Sequence, residues 1–333
     1  MLRVHFTNED VARVRVAATP DPLWEITNSF QVLISEDSGP VFGQWRRLVR
    51  PRLGPADGLL GALLPSHGYS PDFLTPDLAG ATDLDFAVDT VLRTPRSALS
   101  ADLALLAASP RRSRSPLPTE VRALADGAPE DLRRLGTALH DYHRRMLAPV
   151  WRHVRAQVDA DHSMRARVVL AGGTEGLLAD FSPVLRWNPP VLEADYPVDR
   201  ELRLGGRGLV LQPSFFCRRR PVMLAHPAAD RTPVLVYPIQ HTPGWAHPGT
   251  PAHGAELGAL LGRTRAAILA DVVTGRTTGE LAQRFGISGA AASQHTAVLR
   301  RAGLLLSVRR SKYVLHTITP VGLALLNGAP ASV

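Results

Sequence analysis

The sequence has very little of several residue types that define classes of protein. Its 333 residues include one cysteine, Cys217, which excludes a disulfide framework and a cysteine-rich metal site. Lysine also occurs once, at Lys312, so nearly all positive charge is arginine. No apolar run approaches the roughly 18 residues that span a bilayer, and residues 1–10 turn acidic before any apolar stretch forms. We therefore expect no signal peptide, no membrane partner and a cytoplasmic protein.

The hydrophobic content is sufficient for two folded cores. Hydrophobic residues make up 45% of the chain, and its 333 residues exceed the ~250–300 that one core usually serves. A stretch rich in Pro, Gly and His, residues 241–254, is the expected linker. It separates a predicted domain over 1–240 from a second over 255–330.

Positive charge is concentrated in the second domain. Residues 253–330 carry nine basic and three acidic side chains, whereas the rest of the chain carries 29 basic and 27 acidic ones. A compact positive module beside a nearly neutral body is typical of proteins that bind a polyanion. The charge alone fits a solvated basic surface equally well.

The first domain is predicted to be α+β, with helices early and a small antiparallel sheet late. Apolar side chains at spacings of three and four predict helices over 22–34 and 130–158, the second kinked or divided at Pro149. Alternating segments after residue 184 predict strands, including a hairpin that turns at the glycines of 204–211.

The second domain is predicted to be a winged helix-turn-helix, because two capped helices and a hairpin with a cationic tip follow one another. The expected order is a helix over 256–273, a short helix after the Thr277-x-x-Glu280 capping box, a helix over 289–301 capped by Ser288, strands over 304–308 and 313–318, and a last helix over 320–326.

The helix over 289–301 has the outer face expected of a helix that enters the DNA major groove. The groove leaves no room for bulk, so small or hydrogen-bonding side chains are required there, whereas Ala292, Thr296 and Leu299 are predicted to face the core. Capped helix starts direct N–H groups at phosphates, and the hairpin tip supplies cations. The candidate DNA contacts are Thr277, Ser288, Gly289, Ala290, Ser293, Gln294, His295, Arg300, Arg309, Arg310 and Lys312. For His295, packing against the turn is an equal alternative.

These motifs also carry a family resemblance. The segments LAQRFGIS over 281–288, ASQH over 292–295 and LRRAGLL over 299–305 resemble the ArsR-type winged-helix transcriptional regulators. The resemblance implies a homodimer, usually a repressor, that binds an inverted repeat of double-stranded DNA and responds to an effector. It also implies that the first and last helices of the domain form the dimer surface.

Metal sensing is not expected, because the positions that hold metal ligands in members of that family hold other residues here. The helix before the turn has Leu281 and Ala282 and no cysteine pair, and positions 321–326 of the last helix hold no His or Asp. We therefore expect no metal and no cofactor.

The first domain is similar to the N-terminal domain of unknown function in a group of actinobacterial winged-helix regulators, through residues 22–25, 176–178, 185–187 and 208–217. That similarity implies no ligand, so three interpretations remain open: an effector sensor or dimerisation module, an enzyme with an appended DNA-binding module, and a purely structural domain. No catalytic motif is recognisable in residues 1–250, and we favour a regulator that is not an enzyme.

Three local patterns of the first domain have both a chemical and an ordinary interpretation. His140 and His143 have the spacing of metal ligands on one helix. The run 218–220 could extend a DNA contact, and Cys217 could be a redox switch. In each case we favour the ordinary interpretation, namely polar helix positions, a solvated loop and a small core residue.

Overall fold

The computed structural model describes residues 1–35, 39–66, 68–78, 80–109, 116–218, 220–224, 232–241, 245, 253–310 and 313–327. The chain forms two compact units, Met1–His241 and Thr242–Val333. Each combines helices with small sheets, so the expected mixed class is confirmed. Of the predicted linker, residues 242–244 and 246–252 lie outside the described part of the chain. Within the described part, no helix has the length and apolar character needed to cross a bilayer.

The first unit has most of its helices before most of its strands. Its helices are α1 (Asn8–Ala12), α2 (Pro22–Ile34), α3 (Gly39–Val49), α4 (Gly58–Leu63), α5 (Leu84–Leu92), α6 (Arg96–Ala108), α7 (Thr119–Ala123), α8 (Pro129–Tyr142) and α9 (Trp151–Ala179). Its strands are β1 (Leu2–His5), β2 (Arg15–Val16), β3 (Leu185–Asn188), β4 (Val191–Ala194), β5 (Arg200–Arg203), β6 (Val210–Ser214), β7 (Val222–Leu224) and β8 (Val234–Pro238).

These strands form two mixed four-stranded sheets, with the orders β3-β4-β1-β5 and β2-β6-β8-β7. Strand β1 is parallel to β5, and β6 is parallel to both β2 and β8. The remaining pairs are antiparallel, so the prediction of a small antiparallel sheet is wrong. The reason is that β1 and β2, from the first 16 residues, pair with strands that begin after residue 184. Local alternation predicts strands but carries no information about such distant partners.

The predicted hairpin over 204–211 is also wrong, because β5 and β6 belong to different sheets. Residues 204–208, which we call the glycine loop, connect them with left-handed φ angles of 64° at Gly205, 88° at Gly206 and 74° at Gly208. The N–H of Gly208 donates to the Asp10 carboxylate at 2.9 Å. Asp10 is fully buried and caps α1 by accepting from the N–H and hydroxyl of Thr7. One buried carboxylate therefore holds the glycine loop against the start of α1.

Helix α2 is buried on nearly every side, so it is a central helix and not one whose polar face meets solvent. Its Glu25 is fully buried and accepts hydrogen bonds from the N–H groups of Phe215 (2.7 Å) and Phe216 (3.0 Å), just after β6. Burial raises the pKa of Glu25 to about 7, although these hydrogen bonds act in the opposite direction. This carboxyl group joins the central helix to the second sheet.

The predicted division of the long helix near Pro149 is confirmed. Helix α8 ends at Tyr142, and one wide π turn and one 3-10 turn lead into α9. Two backbone carbonyls of the wide turn accept from side chains outside it: the Trp45 indole donates to Met146 (3.4 Å), and Arg52 donates to Arg145 (3.1 Å). The break therefore leaves these two polar groups paired.

The second unit consists of short helices and a three-stranded sheet of order β10-β11-β9. The helix predicted over 256–273 is in fact two helices, because Gly262, at φ 87°, interrupts it. The elements are α10 (His253–Leu261), α11 (Arg263–Asp271), β9 (Arg276–Thr277), α12 (Thr278–Phe285), α13 (Gly289–Arg301), β10 (Leu305–Arg310), β11 (Tyr313–Ile318) and α14 (Pro320–Asn327). They enclose one apolar core, whose buried members include Leu257, Ile268, Leu269, Val272, Leu281, Ala292, Leu299 and Leu305.

Candidate nucleic-acid interface

Both predicted helix caps of the second unit are present. Thr277 precedes α12 and forms a reciprocal capping box: its hydroxyl oxygen accepts from the Glu280 N–H (3.3 Å), and the Glu280 carboxylate accepts from the Thr277 N–H (2.7 Å). The Ser288 hydroxyl accepts from the Ala291 N–H (3.1 Å) at the start of α13. The remaining N–H groups of each first turn are left for solvent or a ligand.

A tight turn separates the two helices. Helix α12 ends at Gly286, whose φ of 60° is left-handed, and the Ile287 N–H then donates to the Ala282 carbonyl (3.0 Å). Ile287 is half-buried and packs against the core of the unit. The turn thus anchors the chain immediately before α13 begins.

Helix α13 has two chemically distinct faces. Ala292, Thr296 and Leu299 are buried, as the sequence predicts. The Thr296 hydroxyl donates to the backbone carbonyls of Ala292 (3.0 Å) and Ser293 (3.1 Å) on its own helix, so this polar group enters the core with its hydrogen bonds satisfied. Of the predicted contact residues, Thr277 before α12 and His295 on α13 are half-buried. The exposed ones on or beside α13 are Ser288, Gly289, Ala290, Ser293, Gln294 and Arg300.

A hairpin follows α13 directly. Gly303, at φ 71°, reverses the chain, and the Leu304 N–H donates to the Leu299 carbonyl at 2.9 Å. Strands β10 and β11 then pair in an antiparallel ladder from Leu305↔Ile318 to Arg310↔Tyr313. Of the cations predicted at the tip, the Arg309 side chain is exposed, whereas the side chain of Arg310 and all of Lys312 lie outside the described residues.

The basic side chains of the second unit are not equally available to a ligand. Asp271, at the end of α11, forms ion pairs with Arg276 (3.3 Å) and Arg284 (2.9 Å). These two guanidinium groups are therefore already partly neutralised. In the described part of the unit, no carboxylate pairs with the exposed arginines beside α13 and on the hairpin, which are Arg300, Arg301 and Arg309.

A buried histidine, which the sequence analysis did not identify, connects the hairpin to the start of α12. His316 is 3% exposed. Its Nε2 lies 2.9 Å from the Thr278 hydroxyl, and its Nδ1 lies 2.8 Å from the Ser307 hydroxyl. Burial lowers the pKa of His316, and the nearby charge of Arg300 lowers it further. The neutral imidazole holds the hairpin in position relative to α12.

We expect acidification to loosen this connection. Because the folded-state pKa of His316 lies below its usual value near 6.5, the stability it contributes is complete above about pH 6.5. It is lost as the pH falls from there through the lowered pKa. Hydrogen exchange at amides 305–318, expressed as protection factors at pH 7.5 and 5.5, should show less protection at the lower pH. If the His316→Gln variant lost as much protection between pH 7.5 and pH 5.5, the group that titrates would not be His316.

In the first unit, the patterns singled out in the sequence engage in ordinary contacts. His140 Nε2 contacts Asp85 at 2.8 Å, whereas the His143 ring packs against Trp151 at 4.9 Å, so the two histidines have different partners. Cys217 is 2% exposed, and burial raises the pKa of its thiol. No group of three or more potential metal-binding side chains occurs among the described residues.

The arginine run over 218–220 likewise has partners within the unit. Arg218 donates to the Ser35 hydroxyl (2.8 Å), and Arg220 pairs with Asp195 (2.9 Å). Arg219 lies outside the described residues. These contacts favour a role for the two described arginines within the fold.

Comparison with known proteins found no matching family model, no matching curated protein and no matching solved structure.

Proposed function

We propose that the chain is a sequence-specific DNA-binding transcriptional regulator, a homodimeric repressor of the ArsR type, and that its second unit is a winged helix-turn-helix. The observation that carries the proposal is the outer face of α13. This face displays only small or hydrogen-bonding side chains, while Ala292 and Leu299 are buried on the opposite side of the helix. A helix that enters the major groove needs such a face, since bulky side chains would hold it away from the base edges.

The surroundings of α13 support the same function. Arg300 and Arg301 are exposed at the end of the helix, and Arg309 is exposed on the adjacent hairpin. Exposed guanidinium groups of this kind contact phosphates and position a helix in the groove without reading sequence. The capped starts of α12 and α13 add N–H groups that favour anions.

The resemblance assigns the dimer surface to the helix predicted over 256–273, which comprises most of α10 and all of α11, and to the last helix, α14. Self-association is proposed through α10 and α14. Leu260 on α10 is 72% exposed, and Val321 on α14 is 52% exposed. Large apolar side chains at such exposure suit an interface between copies better than open solvent. Two copies related by a twofold axis would bind an inverted repeat with half-sites about one helical turn apart.

Among the exposed residues of α13, Gln294 is the candidate for base recognition, because its amide can pair with both hydrogen-bonding groups of adenine. We expect Gln294→Ala to cost about 1–3 kcal/mol and to relax the preference at one base step. Arg309→Ala should instead weaken binding to all sequences alike. The operator is first selected by sequencing DNA fragments that co-purify with the full-length protein. Affinities are then measured for a set of single-base operator variants.

Gln283 provides the matched control, since it is an exposed glutamine on α12, outside the proposed reading face. Gln283→Ala should leave the base preference unchanged. An unaltered preference in Gln294→Ala, or the same change in Gln283→Ala, would show that α13 does not read the bases. Failure of the purified protein to bind any duplex in dilute buffer would refute the function itself.

A further inference from the structure

An open cleft of about 640 Å³ lies in the first unit, where α1 and β2 face the glycine loop. Three of its lining side chains are the arginines Arg13, Arg15 and Arg207, and among the described residues the only lining carboxylate is that of Glu9. The lining side chains therefore carry an excess of two positive charges. None of the contact residues proposed for DNA belongs to this cleft.

The three guanidinium groups differ in how far their charge is compensated. Arg207 donates to the backbone carbonyls of Leu204 (2.7 Å) and Arg203 (2.8 Å). Carbonyl partners orient a guanidinium group but do not cancel its charge. Arg15 is exposed, and no carboxylate of the described residues pairs with it. Within the described part of the chain, Arg15 and Arg207 thus line the cleft as cations without a carboxylate partner.

Arg13 is paired, but its pair is readily exchanged. It bonds to the Glu9 carboxylate and to the Gly206 carbonyl, both at 2.6 Å. The side chains of Arg13 and Glu9 are 58% and 59% exposed, and an ion pair at such exposure contributes little free energy. An incoming anion with two charges can therefore replace the carboxylate on Arg13.

The wall of the cleft is rigid. A Cβ atom at Gly208 would lie 2.6 Å from both the Cβ and the carbonyl oxygen of Arg13, so the loop and the segment after α1 are in close backbone contact. Asp10 holds this contact from behind, because it accepts from the Gly208 N–H. Burial acts to raise the pKa of Asp10, but hydrogen bonds from Gly208, Thr7 and Gly206 outweigh it and keep that pKa below its usual value. Asp10 is thus an anion that holds the backbone of the glycine loop against the start of α1.

We propose that this cleft binds a small molecule through a phosphate group held by Arg13, Arg15 and Arg207. The volume lies within the range of small-molecule sites, and phosphate oxygens match the fork of N–H donors on a guanidinium group. The backbone that carries Arg13 and Arg207 is held by the contact at Gly208, so the ligand has to order only the side chains. On the basis of the proposed regulatory function, and only on that basis, this molecule is the effector.

The experiment is a calorimetric titration of the full-length protein with inorganic pyrophosphate and, separately, inorganic phosphate, without DNA. We expect pyrophosphate to bind with a dissociation constant of about 1 mM or below, and more weakly as salt is added. Arg15→Glu should weaken this binding at least tenfold, and the neutral Arg15→Gln should weaken it less. Arg133→Glu, at an exposed arginine on α8 that does not line the cleft, makes the same charge change and should bind like the unsubstituted protein.

Each other outcome overturns the proposal. Absence of binding heat at ~10 mM pyrophosphate rules out the site. Unchanged affinity in Arg15→Glu places any binding elsewhere, and an equal loss in Arg133→Glu reduces it to an effect of net charge. Because no DNA is present in the titration, a negative result there does not test the proposed DNA-binding function. Conversely, a protein that binds no DNA can still be titrated with pyrophosphate.

Discussion

Glu25→Ala is expected to lower the free energy of unfolding of the first unit by about 3–5 kcal/mol. The substitution removes the acceptor for two buried N–H groups, those of Phe215 and Phe216. Each buried donor left unpaired costs about 1–3 kcal/mol, and the missing side-chain volume adds a cavity cost. Urea unfolding of the full-length protein, followed by tryptophan fluorescence, measures the change, since four of the five tryptophans lie in the first unit. A loss below ~1 kcal/mol would show that water or a neighbouring group replaces the carboxyl group.

Glu25→Gln is the matched control, because the amide retains one acceptor oxygen and nearly the same volume. We expect Glu25→Gln to lose less stability than Glu25→Ala. We also expect its free energy of unfolding to depend less on pH between about 4.5 and 7. The folded-state pKa of Glu25 is raised to about 7 from 4.5, so its contribution is complete below about pH 4.5 and is lost as the pH rises to about 7. Asp21, whose pKa burial also raises to about 7, acts in the same direction. The unfolding free energy of Glu25→Gln should therefore still depend on pH, but less steeply than that of the unsubstituted protein. An equally steep dependence would contradict the assignment to Glu25.

Gly208→Ala is expected to cost about 3 kcal/mol or more, again in the first unit. At its φ of 74° an alanine is strained by roughly 1–2 kcal/mol. In addition, the new Cβ would lie 2.6 Å from the Cβ and the carbonyl oxygen of Arg13. The second contact is with backbone and cannot be relieved by rotating a side chain, so the glycine loop must move away from α1. Thermal unfolding of the full-length protein measures the loss.

Gly205→Ala separates the two contributions to that loss. Gly205 lies in the same loop at a φ of 64°, but nothing lies within 4 Å of a Cβ atom placed there. It should therefore show only the cost of the left-handed backbone, roughly 1–2 kcal/mol. Equal losses for the two variants would mean that the loop adjusts freely and that the cleft has no rigid wall.

Local rules predicted the second unit better than the first. The Thr277 and Ser288 caps and the division of α13 into buried and exposed faces depend on residues within a few positions of one another, and all are present as expected. The error over 256–273 was local too, because Gly262 adopts a left-handed φ that a helix does not tolerate. In this unit, the candidate interface was therefore largely readable from spacing.

The hydrogen-bond partners of the buried polar groups could not be predicted from residue spacing. His316 is an ordinary strand residue in sequence, and only the pairing of β10, β11 and β9 brings it to Ser307 and Thr278. Asp10 and Glu25 bond to backbone groups 198 and 190 residues away. A carboxylate that will be buried looks, in sequence, the same as one on a helix surface.

The sequence alone determined many of the helical and extended segments, the Thr277 and Ser288 caps, and which unit carries the excess positive charge, since propensity, capping and charge act over a few residues. Only the tertiary structure decided the mixed pairing of the two sheets, the meeting of the glycine loop with α1, and the cleft between them. The physical reason is that the alternation of apolar and polar residues predicts which side of a segment faces inward. This pattern does not predict which distant segment will pack against that side, because the partner depends on the packing of the whole unit.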